Sequence, residues 1–452
     1  MTLTESEVTT VTRKLEAALV PFMNRFPGSA GERQPVHSVY GGAHLFKFDT
    51  TRKLGEAAIR ALTEYGGDPK TFAKAIGMRE DLAGVVHARV VEKLEREAIE
   101  DFRIDFEDGY GNRPDAEEDG HAESVARELA KGMREKTLPP FIGIRIKPFT
   151  QELMRRSIRT LDIFLTTVVK ENGALPPGFV VTLPKIQLPE QVTVLADLYD
   201  LMETRLKLPA GSLKLEFMIE TTQSILSAEG VSNLPLFLDA ARGRAVAAHF
   251  GTYDYTASCN ITAAEQRMDH PACDFARHMM QVAYSGTGLW LSDGATNIMP
   301  IPPHRGANLT HAQIEENREV VHRAWKLHVD HIRHSLVHAY YQGWDLHPAQ
   351  LPTRYAAVYS FFLEGLAAAT ERLRNFMEKA GQATLVGDVF DDAATGQGLL
   401  NYFIRGLNSG AITEQEALAT GLTLEELRSR SFVKILKGRR KKNDGGYAPP
   451  SV

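Results

Sequence analysis

The stretch LKLEFMIE (residues 213–220), followed along the chain by AVAAHFGTYD (residues 245–254), decides the fold. Each run begins with apolar residues and ends in a carboxylate, Glu220 in the first and Asp254 in the second. Near-continuous apolar runs are typical of strands buried on both faces, as in a parallel sheet covered by helices. The two runs therefore predict successive parallel strands with acidic C-terminal ends.

Six further runs of the same kind bring the number of predicted strands to eight. They are residues 36–41, 102–108, 141–147, 179–185, 213–220, 245–254, 296–302 and 343–348. Segments with helical periodicity, such as 123–136 and 191–206, lie between them. This alternation predicts a (β/α)8 TIM barrel. The glycine-containing segment GTGLWLSDG (286–294) is expected to be a loop.

Five of these strands carry their polar residues at the C-terminal end, in DFED, RIK, PK, IE and GTYD. In a TIM barrel the active site lies at the C-terminal ends of the strands, so these charges would converge on one pocket. The alternative is that charged residues simply end strands where the chain enters solvent. Five strands with the same asymmetry favour the pocket.

The pattern also divides the chain. Residues 1–353 are expected to form the barrel, with two or three extra helices in the segment 50–100. Residues 354–436 contain helical patterns only and are interpreted as a C-terminal helical lid or oligomerisation region. Residues 437–452 combine a basic cluster with Gly and Pro and are expected to be a disordered tail.

Composition narrows the class of partner. The 452 residues carry a net charge of −5 and are 43% hydrophobic, which favours a small-molecule substrate over nucleic acid. Two cysteines give no disulfide framework, which fits a reducing cytosol. No signal-peptide pattern and no membrane span is evident in the sequence, so a cytoplasmic protein without a membrane partner is expected.

Glu220 and Asp254 are the candidate metal ligands. Mg2+ prefers oxygen ligands and usually takes one or two protein carboxylates, leaving positions for water and substrate, and Mn2+ is an alternative ion. A 2-oxo acid chelated there would have its keto oxygen polarised. The alternative is a structural pair with neighbouring Arg or Lys.

Two strand ends supply candidate cations. Arg145 in GIRIKPF offers a planar fork for a carboxylate or enolate oxygen, and Lys147 follows two residues later. The alternative is that Arg145 or Lys147 pairs with Glu107 or Asp108. Lys185 is predicted to be a positioning cation, with a Schiff-base role as the less favoured alternative.

Six segments together resemble the citrate lyase β-subunit and malyl-CoA lyase family, within the HpcH/HpaI aldolase superfamily. They are FRIDFEDGYG (102–111), GIRIKPF (143–149), VTLPKIQLPE (181–190), FMIETTQSI (217–225), HFGTYDYTAS (249–258) and GWDLHPAQ (343–350). The resemblance covers roughly residues 36–400, and the part from Asp254 through GATNIMPIP (294–302) also resembles malate synthase.

The resemblance implies a role for each matching residue. Glu220 and Asp254 match the family's magnesium ligands, and Arg145 matches the arginine that contacts the oxo acid or enolate. Glu107 and Asp108 match the acidic strand end near the waters of the metal. The implied activity is a Mg2+-dependent carbon–carbon lyase that works through an enolate.

The resemblance also implies an aspartate acid/base in a C-terminal lid that often reaches a neighbouring subunit, and hence a homo-oligomer, a trimer or hexamer. In ATLVGDVFDD (383–392), Gly387 and Asp391 match the family's G-x-x-x-D pattern, with Asp388 and Asp392 as alternatives. His37 is another candidate base, although a packed or hydrogen-bonded histidine is the favoured interpretation.

Departures from the family pattern leave the substrate open. The segment VHSVYGGAHLF (36–46) replaces an Arg-Ser segment followed by Phe-Val-Pro-Gly, and Lys147 stands where asparagine is common. A free 2-oxo acid, a hydroxy acid and a CoA thioester are therefore alternative substrates. A malate synthase-like transferase and a non-catalytic binding barrel are the alternative functions.

A histidine-rich segment stands apart from these motifs. His334 and His338 are four residues apart and His331 precedes them by three, so a helix would put all three on one side. Zinc binds such faces, but the segment lacks the glutamate of HExxH. A solvated or packed helix face is the favoured interpretation.

Overall fold

The computed structural model of the protein describes residues 2–28, 31–378, 384–386, 389–391, 393–429, 431, 434–435 and 438–439. Eight parallel strands form a closed barrel in chain order, and the last strand pairs with the first. They are β1 (His37–Gly42), β2 (Asp101–Asp105), β3 (Phe141–Arg145), β4 (Val180–Leu183), β5 (Lys214–Ile219), β6 (Ala245–Phe250), β7 (Trp290–Ala295) and β8 (Gln342–Asp345). The predicted (β/α)8 barrel is confirmed.

Helices connect and surround the strands. Those from the N-terminus to β5 are α1 (Glu5–Arg25), α2 (Thr50–Ala61), α3 (Pro69–Ile76), α4 (Ala83–Glu97), α5 (Asp115–Glu135), α6 (Met154–Asn172) and α7 (Pro189–Leu206). Those from β5 to β8 are α8 (Thr222–Ile225), α9 (Leu234–Ala240), α10 (Thr252–Ser258), α11 (Pro271–Tyr284) and α12 (His311–Val337). Helices α2, α3 and α4 fill the predicted extra segment. Among the described helices, none is both long enough and apolar enough to span a bilayer.

The seventh strand lies earlier than predicted. Strand β7 begins at Trp290, inside the segment expected to be a loop, whereas the predicted strand 296–302 is irregular. Pro300 and Pro302 have no N–H to donate to a neighbouring strand, which explains why this apolar run stays outside the sheet. Strand β7 pairs with β6 and β8 in its place.

The apolar core lies between the barrel wall and the helices, while the barrel interior is charged. Phe102 and Phe217 alternate with inward residues and pack outward, Phe102 against Phe46 and Phe217 against Phe237. Facing inward, Arg103 on β2 reaches across to Glu216 on β5, with N–O distances of 2.7 and 2.8 Å. His249 on β6 lies 3.1 Å from the same carboxylate. An ion network therefore occupies the middle of the barrel, in the place usually filled by branched apolar side chains.

The chain after β8 contains α13 (Leu351–Glu378), a short hairpin of β9 (Thr384–Val386) and β10 (Val389–Asp391), α14 (Ala393–Asn408), α15 (Glu414–Leu418) and α16 (Leu424–Arg428). This region was expected to be helical only, and the hairpin is a correction. Helix α13 runs through the predicted boundary at residue 354 without a break. The predicted tail lies outside the described residues except for residues 438 and 439.

The C-terminal helices pack at the face of the barrel where the strands begin. Arg405 on α14 donates to Gln34 Oε1 at 2.7 Å, and Gln34 in turn donates to Gln342 at the start of β8. Arg89 on α4 pairs with Glu416 at 2.7 Å. This face is opposite to the C-terminal ends of the strands, so these helices contact the end of the barrel away from the predicted pocket. The lid role and the domain division remain predictions.

Candidate active site at the barrel mouth

Charged side chains from five consecutive strand ends converge at the mouth of the barrel. Glu107 and Asp108 follow β2, Arg145 ends β3, Lys185 follows β4, Glu220 follows β5, and Asp254 lies in the first turn of α10 after β6. Parallel strands present their C-terminal ends to one side, which explains why residues far apart in sequence meet here.

The ammonium of Lys185 lies at the centre of this cluster. Its Nζ atom is 2.6 Å from Glu107 Oε1, 3.3 Å from Asp108 Oδ2 and 3.3 Å from Asp254 Oδ2. Burial alone would lower the Lys185 pKa, but the charges of Glu220 and Glu107 outweigh it and raise that pKa. Lys185 is therefore protonated at neutral pH and acts as the shared counter-ion of the mouth.

Glu220 is the most buried carboxylate that faces this ammonium. It is 1% exposed, and its Oε1 accepts a hydrogen bond of 2.8 Å from the backbone N–H of Lys185. Burial, with additional repulsion from Asp254 and Glu107, raises the pKa of Glu220 to about 8 despite the nearby Lys185. The carboxylate is thus short of positive partners.

A glycine makes room for Glu220. A Cβ atom on Gly251, the residue after β6, would lie 2.4 Å from Glu220 Oε2 and 2.6 Å from Glu220 Cβ. Contacts this short do not occur between real side chains, so the close approach of β6 to Glu220 requires glycine. Strand β6 can then pass close to the acidic side chain before α10 carries Asp254 into the mouth.

Arg145 is fixed more firmly than Lys185. Its Nε atom donates to Asp105 Oδ1 at 2.7 Å, and its Nη1 lies 3.1 Å from Glu107 Oε2. The guanidinium also lies 5.0 Å from the ring centre of Tyr40 and 5.9 Å from that of Trp344. Burial would lower the Arg145 pKa, but Asp105 and Glu107 raise it well above its usual value. The plane of this cation is therefore set by one carboxylate and two aromatic rings.

The mouth holds more negative than positive charge. Five carboxylates, those of Asp105, Glu107, Asp108, Glu220 and Asp254, share the two cations Arg145 and Lys185. Burial raises the pKa of Glu107 in spite of both cations. For Asp108, the charge of Arg145 outweighs burial and lowers the pKa.

This donor set fits a hard divalent cation, because every ligand atom is an oxygen and negative charge is in excess. An ion between Glu220 and Asp254 would take the place of the contact between the Lys185 ammonium and Asp254. The Lys185 side chain is 26% exposed, which leaves room for this shift while the ammonium stays beside Glu107.

The backbone at Lys185 is unusual. Its φ is +51°, in the left-handed region that residues with a Cβ seldom adopt. Such a conformation costs on the order of 1 kcal/mol and persists only where surrounding contacts hold it. Here it aims the Lys185 N–H at Glu220 and the ammonium at Glu107. A strained residue at the centre of the charged cluster is typical of a functional site.

Two of the predicted residues lie apart from the cluster. Lys147 contacts Glu118 on α5 at 3.0 Å and donates to the Phe106 carbonyl at 2.6 Å, so it faces the helical layer. His37 is fully buried at the start of β1, where Nδ1 lies 2.9 Å from Asp345 and Nε2 accepts the Glu100 N–H at 3.1 Å. His37 thus makes the packed, hydrogen-bonded contacts of its favoured interpretation, whereas Lys147 pairs with Glu118 and not with Glu107 or Asp108.

The predicted acid/base segment is only partly described. The backbone of Asp391 ends β10, paired with Thr384. Gly387, Asp388 and Asp392 lie outside the described residues. The role of Asp391 therefore stays a prediction.

Sequence reasoning missed four residues that shape the mouth. Asp105 lies two residues before Glu107 on the same inward face, a spacing that would have identified it. Gly251 directly follows the apolar strand β6 and precedes the polar residues at the end of that segment. A glycine at such a position is a signal that the backbone passes close to another group. Tyr40 and Trp344, whose ring centres are 4.4 Å apart, gave no comparable signal because only barrel closure brings β1 beside β8.

Comparison with solved structures finds proteins similar to this chain. A citrate lyase from Burkholderia xenovorans LB400 is 18% identical, with 86% of this chain and 96% of that chain covered and a TM-score of 0.56. The magnesium/glyoxylate complex of Haloferax volcanii malate synthase is 14% identical, with 89% and 96% covered and a TM-score of 0.46. CitE from Mycobacterium tuberculosis in complex with magnesium, acetoacetate and coenzyme A is 16% identical, with 84% and 99% covered and a TM-score of 0.46.

The likeness to the citrate lyase shows a shared fold. No curated protein sequence matches the chain. One family profile matches residues 15–435, nearly the whole length, and its description is "Domain of unknown function (DUF6986)". On this match, the chain belongs to the DUF6986 family.

Proposed function

We propose that this protein is a Mg2+-dependent enzyme that breaks or forms a carbon–carbon bond next to the carbonyl of a small oxo acid, through an enolate. The observation that carries the proposal is Glu220, a fully buried carboxylate whose pKa is raised to about 8 at the mouth of the barrel. A strongly perturbed acid in a mouth lined with charges is typical of a metal or catalytic site.

Each residue has a part in this proposal. Glu220 and Asp254 would hold the ion, and Glu107 and Asp108 would lie beside it as hydrogen-bond acceptors. Arg145 binds the carboxylate or enolate oxygen of the acid, in an orientation set by Asp105. The bound Mg2+ supplies a Lewis acid that stabilises negative charge on the keto oxygen.

Lys185 is assigned a positioning role. A Schiff-base lysine needs an uncharged amine, and its pKa is lowered when it serves as a nucleophile. The Lys185 pKa is raised, so its ammonium keeps its proton and orients the carboxylates of Glu107 and Asp108. This argues for a metal-assisted route over an amine-catalysed one.

Proton transfer is assigned to Asp391 on the strength of the resemblance to the citrate lyase family. Helix α14, which follows the hairpin, packs at the opposite end of the barrel through Arg405 and Gln34. We therefore propose that Asp391 serves the mouth of a second copy within a homo-oligomer.

The malate synthase-like alternative uses the same residues and differs in substrate. A transferase would consume an acyl-CoA with an oxo acid, whereas a lyase would release an oxo acid from a hydroxy acid or its CoA ester. Turnover with acetyl-CoA and glyoxylate would favour the transferase.

The test is calorimetric titration with Mg2+ and then with oxalate, an oxo-acid mimic, on the purified chain. Glu220→Gln and Asp254→Asn are expected to weaken Mg2+ binding by about tenfold or more, the equivalent of about 1.4 kcal/mol or more. Glu229→Gln is the matched control, because Glu229 is exposed in the loop after α8. Wild-type affinity for both ligands in both folded mouth variants would refute the proposed site.

A further inference from the structure

A second cluster of metal-ligating side chains lies in the outer helical layer, between α11 and α12. One ligand atom each from Asp274, His334 and His338 lie within 4.8 Å of one another, and all three residues are half-buried. In the described part of the chain, this is the one group of three His, Cys, Asp or Glu residues that meets this spacing. None of the three takes part in the proposed chemistry at the barrel mouth.

Helical spacing explains how the cluster forms. His334 lies in the last turn of α12 and His338 caps that helix, so the two rings lie on one face with centres 4.4 Å apart and planes tilted by 40°. Asp274 lies in the first turn of α11 and faces them. His331, the third histidine of the predicted row, instead bonds to Thr296 Oγ1 at 2.9 Å and lies outside the cluster.

The hydrogen bonds leave one ligand atom each on His338 and Asp274 available, while His334 Nε2 already lies against the Asp274 carboxylate. His338 Nδ1 donates to the backbone carbonyl of His334 at 2.8 Å, which leaves Nε2 of His338 with its lone pair. A backbone carbonyl behind one ring nitrogen is the usual outer partner of a metal-binding histidine. The bonds to Asp274 from His334, at 2.8 Å, and from Arg277, at 2.5 Å, both end on Oδ1, so Oδ2 is available to an ion.

We propose that Asp274, His334 and His338 bind a divalent transition-metal ion, of which Zn2+ is the biological choice. Two imidazoles and one carboxylate are a donor set that suits zinc, whereas the all-oxygen mouth suits Mg2+. The fourth position belongs to water or to His278, which lies one turn after Asp274 with its ring centre 5.5 Å from that of His338.

The ion would join the helices to the barrel wall. Arg277 donates to both Asp274 and Asp293, the latter on β7 with an N–O distance of 3.0 Å. Asp293 also accepts from Ser335 on α12 at 2.6 Å. An ion at Asp274 therefore ties α11, α12 and β7 into one unit, and the expected consequence is a higher melting temperature with Zn2+.

The test is calorimetric titration of the metal-free full chain with ZnCl2. We expect one tight site in the wild type. His334→Gln and His338→Gln are expected to weaken it by about 100-fold or more, because even outer-shell losses cost about 10- to 100-fold. His311→Gln, which removes an exposed histidine at the start of the same helix, is the matched control and is expected to bind as the wild type does.

Two further measurements keep the result decisive. Zn2+ binding is expected to persist in Glu220→Gln, which separates this site from the mouth. Co2+ added to the wild type is expected to give the intense visible absorption of four-coordinate cobalt, whatever the stability of the variants. The proposal would be overturned by unchanged Zn2+ affinity in both histidine variants or by a wild-type Kd for Zn2+ weaker than about 1 mM. The weak visible absorption of octahedral cobalt would overturn it as well.

Discussion

Glu216 lies on β5 and Glu220 directly follows that strand, four residues later; each is 1% exposed, yet the pKa values of the two carboxyl groups shift in opposite directions. Glu216 accepts from Arg103 Nε at 2.7 Å and Nη2 at 2.8 Å, and from the Thr182 hydroxyl. Although burial would raise its pKa, Arg103 and His249 lower it well below its usual value. For Glu220, burial raises the pKa to about 8.

The difference teaches that burial alone does not identify a functional acid. Taking a carboxylate out of water is costly in both places, and the partners decide whether that cost is recovered. In the interior, Arg103 provides two hydrogen bonds of ideal length to one carboxylate. At the mouth, the single ammonium of Lys185 is shared among several carboxylates. The interior carboxylate of Glu216 is therefore fully paired, whereas the carboxylates at the mouth lack enough cations to balance them.

The largest expected effect comes from breaking the interior. Glu216→Gln leaves the buried guanidinium of Arg103 with Asp101 as its remaining carboxylate partner among the described residues, which is expected to lower the free energy of unfolding by about 3–5 kcal/mol. Glu220→Gln removes a carboxylate that already lacks partners, so it is expected to cost less than about 1 kcal/mol. Chemical denaturation of both variants measures the contrast. Equal losses would show that the two glutamates have the same structural role.

A smaller effect is expected from pH. The folded state holds the Glu220 proton more tightly than the unfolded state, in which the pKa is near 4.5, so the unfolding free energy falls as pH rises from about 4.5 to 8. The loss is about 1.4 kcal/mol for each pH unit over which this shift is realised. Chemical denaturation of the metal-free wild type and of Glu220→Gln, repeated from pH 5 to 9, measures the part of this loss that is due to Glu220.

In that experiment the unfolding free energy of Glu220→Gln relative to the wild type should rise with pH and level off above about pH 8. Glu229→Gln, with its carboxylate in solvent, should show no such trend. A constant difference between wild type and Glu220→Gln across this range would contradict the raised pKa.

Features of the fold and the candidate site that depend on residues close together in sequence were predictable, and those that depend on residues far apart were not. Apolar runs and helical periodicity are local signals, so the barrel, its order of strands and the acidic ends of β5 and β6 were predictable. Trp290 was missed because neighbouring glycines resemble a loop, and only pairing with β6 and β8 makes the segment a strand.

The direction of a side chain was harder to predict. Lys147 follows Arg145 by two residues, and in a regular strand it would share the same face. The strand ends at Arg145, however, and Lys147 turns to Glu118 in the helical layer. Likewise, the charged interior depends on distances across the barrel between Arg103 and Glu216, which no local pattern encodes.

The smallest expected effect tests where the interior ends and the mouth begins. The Tyr40 hydroxyl is buried between Arg103 and Arg145, and among the described residues it has no hydrogen-bond partner. Tyr40→Phe is therefore expected to raise the free energy of unfolding by up to about 1 kcal/mol, because it removes an unpaired polar group. Tyr40→Leu should lower it, since the ring contact with Arg145 is lost. Destabilisation by Tyr40→Phe would place the hydroxyl within the interior network.

The ammonium of Lys185 has a consequence for how the protein matures. A mouth rich in acids would resist closing during synthesis, when β2, β5 and β6 first bring their carboxylates together. Lys185 follows β4 in the chain and is therefore synthesised before β5. Its positive charge attracts these carboxylates when the strands come together. The polypeptide thereby carries its own counter-charge, so the carboxylates of the mouth meet a cation before any ion binds.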